Sequence, residues 1–333
     1  MGSIGKASAL KRPAIMSVMP PGELDRFIEQ IRRHRGQPEL KVDILAHSMG
    51  GLLVRYYARY GGRDVLGEEQ FEPNYSGANK IRKAVLIGVP NLGSVVALQN
   101  VMIGFQSRMG TIGPEVLLTM PSAYELLPHP ERDWMITPEG ERFHRDLYDV
   151  KTWRDYRWAV FDPAVRQRIR KRFSDSRDAE EYLELLDRYF TRWLERGRKF
   201  HMSLSVPFTR QGMEYVVFGG DCELTPARCL VETVNGQTMV RLKPGDIVNV
   251  VEGVPYDRLM LEPGDGRVTK PSLLARNSLD PSAPALSGDA MPLAYSVFLC
   301  ETHSQLTGNI SFQDNLLNIL LQQFTTEDRL IKQ

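Results

Sequence analysis

One serine in the chain lies in the setting that a hydrolytic nucleophile needs. Ser48 is the centre of the run Ala46-His47-Ser48-Met49-Gly50, which follows a short apolar segment and precedes an amphipathic one. A strand, a sharp turn and a helix in that order leave a serine hydroxyl exposed, provided that the residues two positions before and after it are small. Ala46 and Gly50 meet this condition, so the pattern predicts a nucleophile elbow at Ser48.

The same turn predicts a donor for a negatively charged intermediate. Met49 would open the helix that follows the serine, and the first N–H groups of a helix have no partner within it. A backbone N–H in that position can stabilise an oxyanion that forms next to the serine. We therefore expect the backbone N–H of Met49 to contribute to an oxyanion hole.

A serine of this kind needs a histidine as its base, and chain position separates the six histidines. In the α/β-hydrolase arrangement the serine comes first, then the acid, then the histidine. The five histidines that lie too early or inside a predicted helical segment are His34, His47, His129, His144 and His201. His303 follows the last apolar strand on a polar loop and is the predicted base. The sharp turn is expected to point the side chain of His47 away from Ser48.

Two aspartates are candidates for the acid that orients the base. Asp221 comes directly after an apolar strand over residues 215–219, where the simplest version of the arrangement would place the acid. Asp265 lies in a turn flanked by glycines, over residues 262–268, and such a turn can also present a carboxylate. Residue types and spacing leave both open.

The elements that must position these side chains follow an α/β pattern. Periodicity predicts a helix over 22–35, a strand over 41–47, a helix over 50–60 and a strand over 83–89. A strand, a crossover helix and a second strand are typical of a parallel sheet.

From residue 92 to 210 no strand is predicted, and the longest helix runs over 178–199. Further strands are predicted over 214–219 and 295–300. Asn235-Gly236 between the runs 230–234 and 237–242 predicts a hairpin with a type I′ turn. Residues 276–290 are predicted to form a surface loop.

These elements predict an α/β core interrupted by a helical cap. The core is assigned to residues 1–94 and 211–333, and the cap to residues 95–210. The cap is rich in aromatic residues that could shelter an acyl chain, although most are expected to form the core of the cap itself: Trp134, Trp153, Tyr156, Trp158, Tyr189, Phe190 and Trp193. It also carries a basic cluster, expected to be a solvated helix face with contact to anionic lipid headgroups as the alternative: Arg166, Arg168, Arg170, Lys171 and Arg172.

Composition excludes several classes of protein. The 333 residues include 42 Lys and Arg against 41 Asp and Glu, so no overall field favours nucleic acid as a partner. The three cysteines form no disulfide framework, and Cys222 and Cys229 are expected to be buried or free thiols. The sequence contains no metal-binding or phosphate-binding motif, and no cofactor is implied. No apolar run approaches the length of about 20 residues that spans a bilayer.

Five segments in order resemble the lecithin–cholesterol acyltransferase-like lipases and acyltransferases. They are Ala46-His47-Ser48-Met49-Gly50-Gly51 with Leu52-Leu53-Val54-Arg55-Tyr56-Tyr57, Pro90-Asn91-Leu92-Gly93-Ser94, Pro121-Ser122-Ala123-Tyr124-Glu125-Leu126-Leu127-Pro128, Gly264-Asp265-Gly266-Arg267-Val268, and His303. The resemblance covers roughly residues 22–310. It implies that Asp265 rather than Asp221 is the acid, because the family carries an insertion before a Gly-Asp-Gly turn. Arg267 and Thr269 replace a small residue and a proline of the family pattern.

The resemblance implies an α/β-hydrolase fold and acyl transfer through an acyl-enzyme. A lipid or another acyl ester is then the partner, and either hydrolysis or O-acyl transfer is the outcome. The other hypotheses are a thioesterase or short-chain esterase, and a catalytically weak or inactive remnant of the fold.

The remnant hypothesis follows from the start of the chain. The family has four strands before the one that ends at Ser48, and residues 14–18 could supply one short strand at most. The strand over 42–45 is expected to have a neighbour on each side. The sequence therefore predicts a chain that begins late in the fold.

Overall fold

The protein has a mixed α/β fold built around a parallel sheet. The computed structural model describes residues 21–107, 110–209, 212–276 and 291–321. The strands in these residues are β1 (Val42–His47), β2 (Ile81–Ile87), β3 (Phe105–Ser107), β4 (Gly110–Ile112), β5 (Met135–Ile136), β6 (Glu214–Gly220), β7 (Glu223–Pro226), β8 (Cys229–Val234), β9 (Gln237–Arg241), β10 (Leu261–Gly264) and β11 (Leu293–Leu299). The α-helices are α1 (Pro21–Arg35), α2 (Met49–Tyr60), α3 (Val95–Ile103), α4 (Pro114–Leu117), α5 (Pro121–Glu125), α6 (Val150–Asp155), α7 (Pro163–Arg170), α8 (Ser176–Leu204), α9 (Tyr256–Met260), α10 (Lys270–Leu273) and α11 (Ile310–Leu321).

The central sheet has the order β1-β2-β6-β11, and all three of its strand pairs are parallel. This confirms the predicted α/β class with a parallel sheet. Strand β1 pairs only with β2 among the described residues, so the expectation of a neighbour on each side is not met there. Leu45 on this strand is 47% exposed, and Asp43 binds Arg82 rather than packing in an apolar layer.

Alternation along the inner strands divides the core into two layers. Ala84 and Leu86 of β2 face one side, with α2 and the end of α8, whereas Val85 and Ile87 face the other, with α11. Successive side chains of a strand point to opposite faces, so strands that are covered on both sides must be apolar throughout. That is why the apolar run near residue 83 could be recognised as a buried strand.

The predicted cap region, residues 95–210, contains a hydrophobic core of its own. Trp153 contacts Phe190 and Trp158 with ring centroids 5.1 and 5.7 Å apart, and Tyr156 stacks on Trp158. All seven aromatic residues singled out in the sequence belong to this core or pack against it, which confirms the simpler expectation for them. The β8–β9 hairpin also packs there, although it lies outside the region in sequence.

One detail of this region differs from the sequence analysis, and the hairpin that packs on it was predicted. Three short strands, β3, β4 and β5, lie where no strand was expected, and each has only two or three residues, too few to show a period. The predicted hairpin is confirmed: Asn235 and Gly236 have φ of 51° and 75°, as a type I′ turn requires. The loop predicted over 276–290 and the segment 14–18 lie outside the described residues, apart from residue 276.

The basic cluster of the cap is paired with acidic side chains from other elements. Glu115 on α4 receives both Arg168 and Arg172, while Arg170 pairs with Glu180 and Arg166 with Asp187. The local positive charge is therefore largely balanced, which weakens the alternative of contact with anionic headgroups. In the described part of the chain, no helix is both long and apolar enough to cross a membrane.

A disulfide corrects the expectation for the cysteines. Cys222 is bonded to Cys300, and only Cys229 is a free, buried thiol. The two partners are 78 residues apart in sequence but follow the carboxyl ends of the neighbouring parallel strands β6 and β11, where their Cα atoms are 5.0 Å apart. The odd number of cysteines therefore reflects one bridge and one core residue.

Removing this bridge is expected to destabilise the protein without changing the fold. A cross-link between distant residues restricts the unfolded chain, and we expect Cys222→Ser with Cys300→Ser to lower the free energy of unfolding by about 2–4 kcal/mol. Urea unfolding with and without a thiol reductant measures this loss of stability. The reductant should not change the stability of the double variant. If the oxidised wild type shows three titratable thiols after unfolding, the bridge is absent and this expectation fails.

The cap also buries a carboxyl group. Glu125 at the end of α5 is 2% exposed, and one of its oxygens has no hydrogen-bond partner among the described residues. Burial raises the pKa of Glu125 to about 8, against a smaller opposing effect of Arg196. Since the folded state holds this proton more tightly than the unfolded state, stability falls as the pH rises from the ordinary value of 4.5 through about 8.

We expect Glu125→Gln to remove most of that pH dependence. The variant should resemble the wild type near about pH 5 and exceed its free energy of unfolding by about 3–5 kcal/mol near about pH 9. Chemical unfolding across this range measures the difference. Glu184→Gln, on an exposed helix face, is the matched control and should follow the wild type. Parallel pH curves for wild type and Glu125→Gln would show that the buried carboxyl does not titrate as expected.

Candidate active site

The turn after β1 holds Ser48 in a strained backbone conformation. Its φ and ψ are 54° and −130°, in a region that residues other than glycine rarely adopt. The Ser48 N–H donates to the carbonyl of Ile87 at 2.8 Å, which ties the turn to the end of β2. Helix α2 starts at the next residue, so the predicted strand–serine–helix elbow is present.

Three side chains predicted from the sequence meet at this turn. His303 Nδ1 lies 2.8 Å from Asp265 Oδ2, and His303 Nε2 lies 3.0 Å from Ser48 Oγ. Because the carboxylate can only accept, the hydrogen-bond pattern places the ring proton on Nδ1 and leaves Nε2 to accept from the serine. This arrangement can remove a proton from the hydroxyl.

The turn that carries Asp265 holds its carboxylate in place. Asp265 is 2% exposed, and its Oδ1 accepts from the backbone N–H groups of Arg267 and Val268 at 3.0 and 2.8 Å. The backbone of the same residue accepts from the His303 N–H at 2.8 Å. One aspartate therefore fixes both the ring and the backbone of the histidine.

The alternative acid lies elsewhere. Asp221 Oδ2 accepts from Lys270 Nζ at 2.8 Å, and the described residues show no contact between Asp221 and His303. The structure thus brings Asp265, and not Asp221, to the histidine. The β7–β10 pair separates the two positions, so the aspartate that contacts His303 is not on the first loop after β6.

Small residues let the elbow pack closely, although not only where expected. A Cβ on Gly50 would lie 3.9 Å from the Cβ of Ala46, which is an ordinary contact and confirms that the two positions face each other across the turn. The tighter constraint falls on Gly51, where a Cβ would lie 2.1 Å from Val89. Gly51 allows α2 to pack against the chain that leaves β2.

Gly88 is a second close approach that the sequence analysis missed. It follows β2 with φ of 56°, and a Cβ there would lie 3.0 Å from His303 Nδ1 and 3.1 Å from Asp265 Oδ2. Its N–H donates to the carbonyl of Phe218 at 2.8 Å. A glycine directly after a buried strand was the available signal, but Asp265 and His303, which it approaches, lie in distant segments of the chain.

Met49 is the first residue of α2, as predicted. Its N–H has no carbonyl in a preceding helical turn, and no acceptor contacts it among the residues that the structure describes. The group is next to Ser48 in the chain and is placed at a helix N-terminus. Its part in an oxyanion hole stays a prediction.

His47 does not point away from the site, contrary to expectation. Its Nε2 lies 3.1 Å from the carbonyl oxygen of His303, and the two rings are 4.8 Å apart. Burial lowers the pKa of His47 most, the hydrogen bond to the His303 carbonyl opposes that effect, and the charge of Arg267 lowers it further. His47 is the last residue of β1, and its ring lies beside the loop that carries His303.

The remaining histidines lie away from the serine. His129 and His201 form a buried pair with ring centroids 5.5 Å apart, and the Nε2 of His129 bonds Ser205. His144 is exposed beside Asp133. In the described residues, no group of three or more His, Cys, Asp or Glu side chains could hold a metal ion.

The residues after β2 connect helix α2 to its surroundings. Asn91 accepts from the buried Arg55 of α2 at 3.1 Å and donates to the carbonyl of Leu273 at 2.5 Å. Arg55 also donates to the carbonyl of Leu204 at the end of α8. These contacts join the helix behind Ser48 to the segment that follows the Asp265 turn.

Comparison with known proteins identifies a solved structure with a similar fold. No family model matches the chain, and no curated protein matches it. Among 49 matching chains of solved structures, one from the crystal structure of the Tle4–Tli4 complex matches with a TM-score of 0.51 and 16% identity. The match covers 84% of this chain and 60% of that chain, so this chain spans about three fifths of its length. At this identity the likeness shows a shared fold and nothing about the chemistry.

Proposed function

We propose that this protein is a serine hydrolase of the α/β-hydrolase class that acts on acyl esters through an acyl-enzyme. The observation that carries the proposal is the continuous chain from Ser48 Oγ through His303 to Asp265, with contacts of 3.0 and 2.8 Å. The strained backbone of Ser48 and the burial of Asp265 support it, since backbone strain and pre-organised side chains are typical of active sites.

The proposed reaction has two steps. His303 Nε2 takes the proton of Ser48 Oγ as the oxygen attacks the ester carbonyl, and Asp265 stabilises the imidazolium that forms. The Met49 N–H stabilises the negative charge on the carbonyl oxygen. The bond to the alcohol then breaks as His303 returns the proton to it, which leaves the acyl group on Ser48. Water, deprotonated by His303, then attacks the acyl-enzyme, and His303 returns that proton to Ser48 Oγ as its bond to the acyl group breaks and the carboxylic acid leaves.

We further propose a lipid acyl ester as the substrate class, which rests on the resemblance to the lecithin–cholesterol acyltransferase-like family. An alcohol in place of water in the second step would make the same site an O-acyltransferase. Two of the segments that carry the resemblance lie at the site, since Asn91 binds the helix behind Ser48 and Asp265 binds His303, and this supports the carry-over of the family's site residues.

Covalent labelling tests the proposed function. A fluorophosphonate probe should modify the full chain once, and peptide mapping should locate the adduct at Ser48. A series of 4-nitrophenyl esters of increasing acyl length then separates a lipase, whose kcat/KM rises with chain length, from a short-chain esterase. Absence of both labelling and turnover in folded protein would contradict the proposal.

A further inference from the structure

Arg267 sits on the turn that carries the acid, and its backbone is held at both ends. Its N–H donates to Asp265 Oδ1 at 3.0 Å, and its carbonyl accepts from Ser94 Oγ at 2.6 Å. Ser94 is the N-cap of α3, so the arginine is fixed between the proposed acid and the start of the cap region. Its side chain therefore leaves from a well-defined point beside the site.

The guanidinium of Arg267 is exposed, and no carboxylate pairs with it in the part of the chain that the structure describes. It lies over the ring of Phe105, 5.5 Å from the centroid, a contact that orients the group without neutralising it. Two nearby arginines do have an acidic partner: Arg132 and Arg228 both bind Glu262 at 2.8 Å. Among the cations near this turn, Arg267 is thus set apart by having no acidic partner there.

The charge of Arg267 acts on the side of the site where the base lies. It lowers the pKa of His47 in the same direction as burial, the largest effect, although the hydrogen bond to the His303 carbonyl, which raises that pKa, and the charges of His303 and Asp265 have larger effects than Arg267. His47 in turn contacts the carbonyl and ring of His303. The guanidinium is therefore within electrostatic reach of the groups that surround Ser48.

We propose that Arg267 is a specificity residue that binds an anionic oxygen group of the substrate, so that the site prefers esters carrying a carboxylate or phosphate over neutral esters of the same size. The proposal rests on the proposed ester hydrolase. A guanidinium offers several N–H donors in one plane and suits both anions, and hydrogen bonds between charged partners are the stronger ones. A small residue, which the resembling family has at this position, could not make this contact.

Matched chromogenic esters test this preference. The set consists of 4-nitrophenyl pentanoate, which is neutral, 4-nitrophenyl hydrogen glutarate, with a carboxylate on the acyl chain, and the butyrate of 5-hydroxy-2-nitrobenzoate, with a carboxylate on the alcohol. For at least one anionic ester, Arg267→Gln should lower kcat/KM by about tenfold to hundredfold, with the neutral ester within about twofold of the wild type. Inhibition by glutarate and by phenyl phosphate distinguishes the two anions.

Two further variants separate charge from structure. Arg267→Lys keeps the positive charge and should retain most of the preference, whereas Arg177→Gln, on an exposed part of α8, removes the same net charge and should change nothing. Added salt should reduce the preference of the wild type. Equal losses on neutral and anionic esters in Arg267→Gln would mean that the arginine only supports the turn, and equal rates in the wild type would also overturn the proposal. A wild type that turns over no ester and takes no probe would instead refute the proposed function, and this inference with it.

Discussion

Replacing Ser48 by alanine is expected to abolish fluorophosphonate labelling and to lower ester turnover by about 10⁴-fold or more. His303→Ala should cause a loss of the same order, because the two residues act as a unit and either loss leaves only binding and the oxyanion donor. The 3.0 Å contact between Ser48 Oγ and His303 Nε2 is the structural reason. Initial rates with the preferred 4-nitrophenyl ester and labelling by intact mass measure both effects.

The double variant sharpens this test. If the two residues act as a unit, the double variant Ser48→Ala/His303→Ala should turn over the ester hardly more slowly than either single variant. His144→Ala, on an exposed histidine beside Asp133, is the control and should keep full activity. Full labelling of the Ser48→Ala protein would show that the nucleophile is another residue.

Asp265→Asn is expected to lower kcat by about 10⁴-fold, as found when the triad aspartate of a serine protease is changed in the same way. The geometry explains why so conservative a change would matter. Asp265 Oδ1 accepts from two backbone N–H groups, which would hold the amide oxygen of an asparagine in that position. The amide NH₂ would then face His303 Nδ1 and force the ring proton onto Nε2, where it blocks acceptance of the serine proton.

Asp221→Asn provides the comparison. Asp221 is bound by Lys270 in a partly exposed ion pair, and such a pair is worth about 0–1 kcal/mol in stability. Its loss should leave kcat close to the wild-type value. If Asp221→Asn lowers kcat more than Asp265→Asn does in folded protein, Asp265 is not the acid. The assignment that the family resemblance implies would then be wrong at that position.

Residue patterns predicted the parts of this site that depend on residues close together in the sequence or on the order of elements along the chain. The strand, turn and helix around Ser48 follow from short-range periodicity and from one small-residue rule, and His303 follows from its place after the last strand. Asp265 could not be separated from Asp221 by physical reasoning, since Asp221 follows a predicted strand, Asp265 lies in a glycine-flanked turn, and either position can present a carboxylate. The family resemblance favoured Asp265, and the 2.8 Å contact with His303 places it there.

Features that depend on distant segments were beyond sequence reasoning. The Cys222–Cys300 bridge requires knowledge that β6 and β11 are neighbours, which spacing along the chain does not contain. The basic cluster of the predicted cap region has no acidic partners nearby in the sequence, because Glu115 and Glu180, which pair with it, lie on other helices. The position of His47 follows from its contacts with the carbonyl and ring of His303, which lies far away in sequence.

The hydrogen bond between His303 and Ser48 joins residues 255 positions apart, and this separation has a consequence for the order of events in folding. The elbow forms from contacts between β1, α2 and β2, which are close in sequence, but His303, the proposed base, reaches Ser48 only when β11 has paired with β6. Closing so long a loop costs entropy that is regained only when the distant contacts form, which slows folding. Catalytic competence is thus a late property of the refolding chain, and the recovery of probe labelling should trail the recovery of helical circular dichroism.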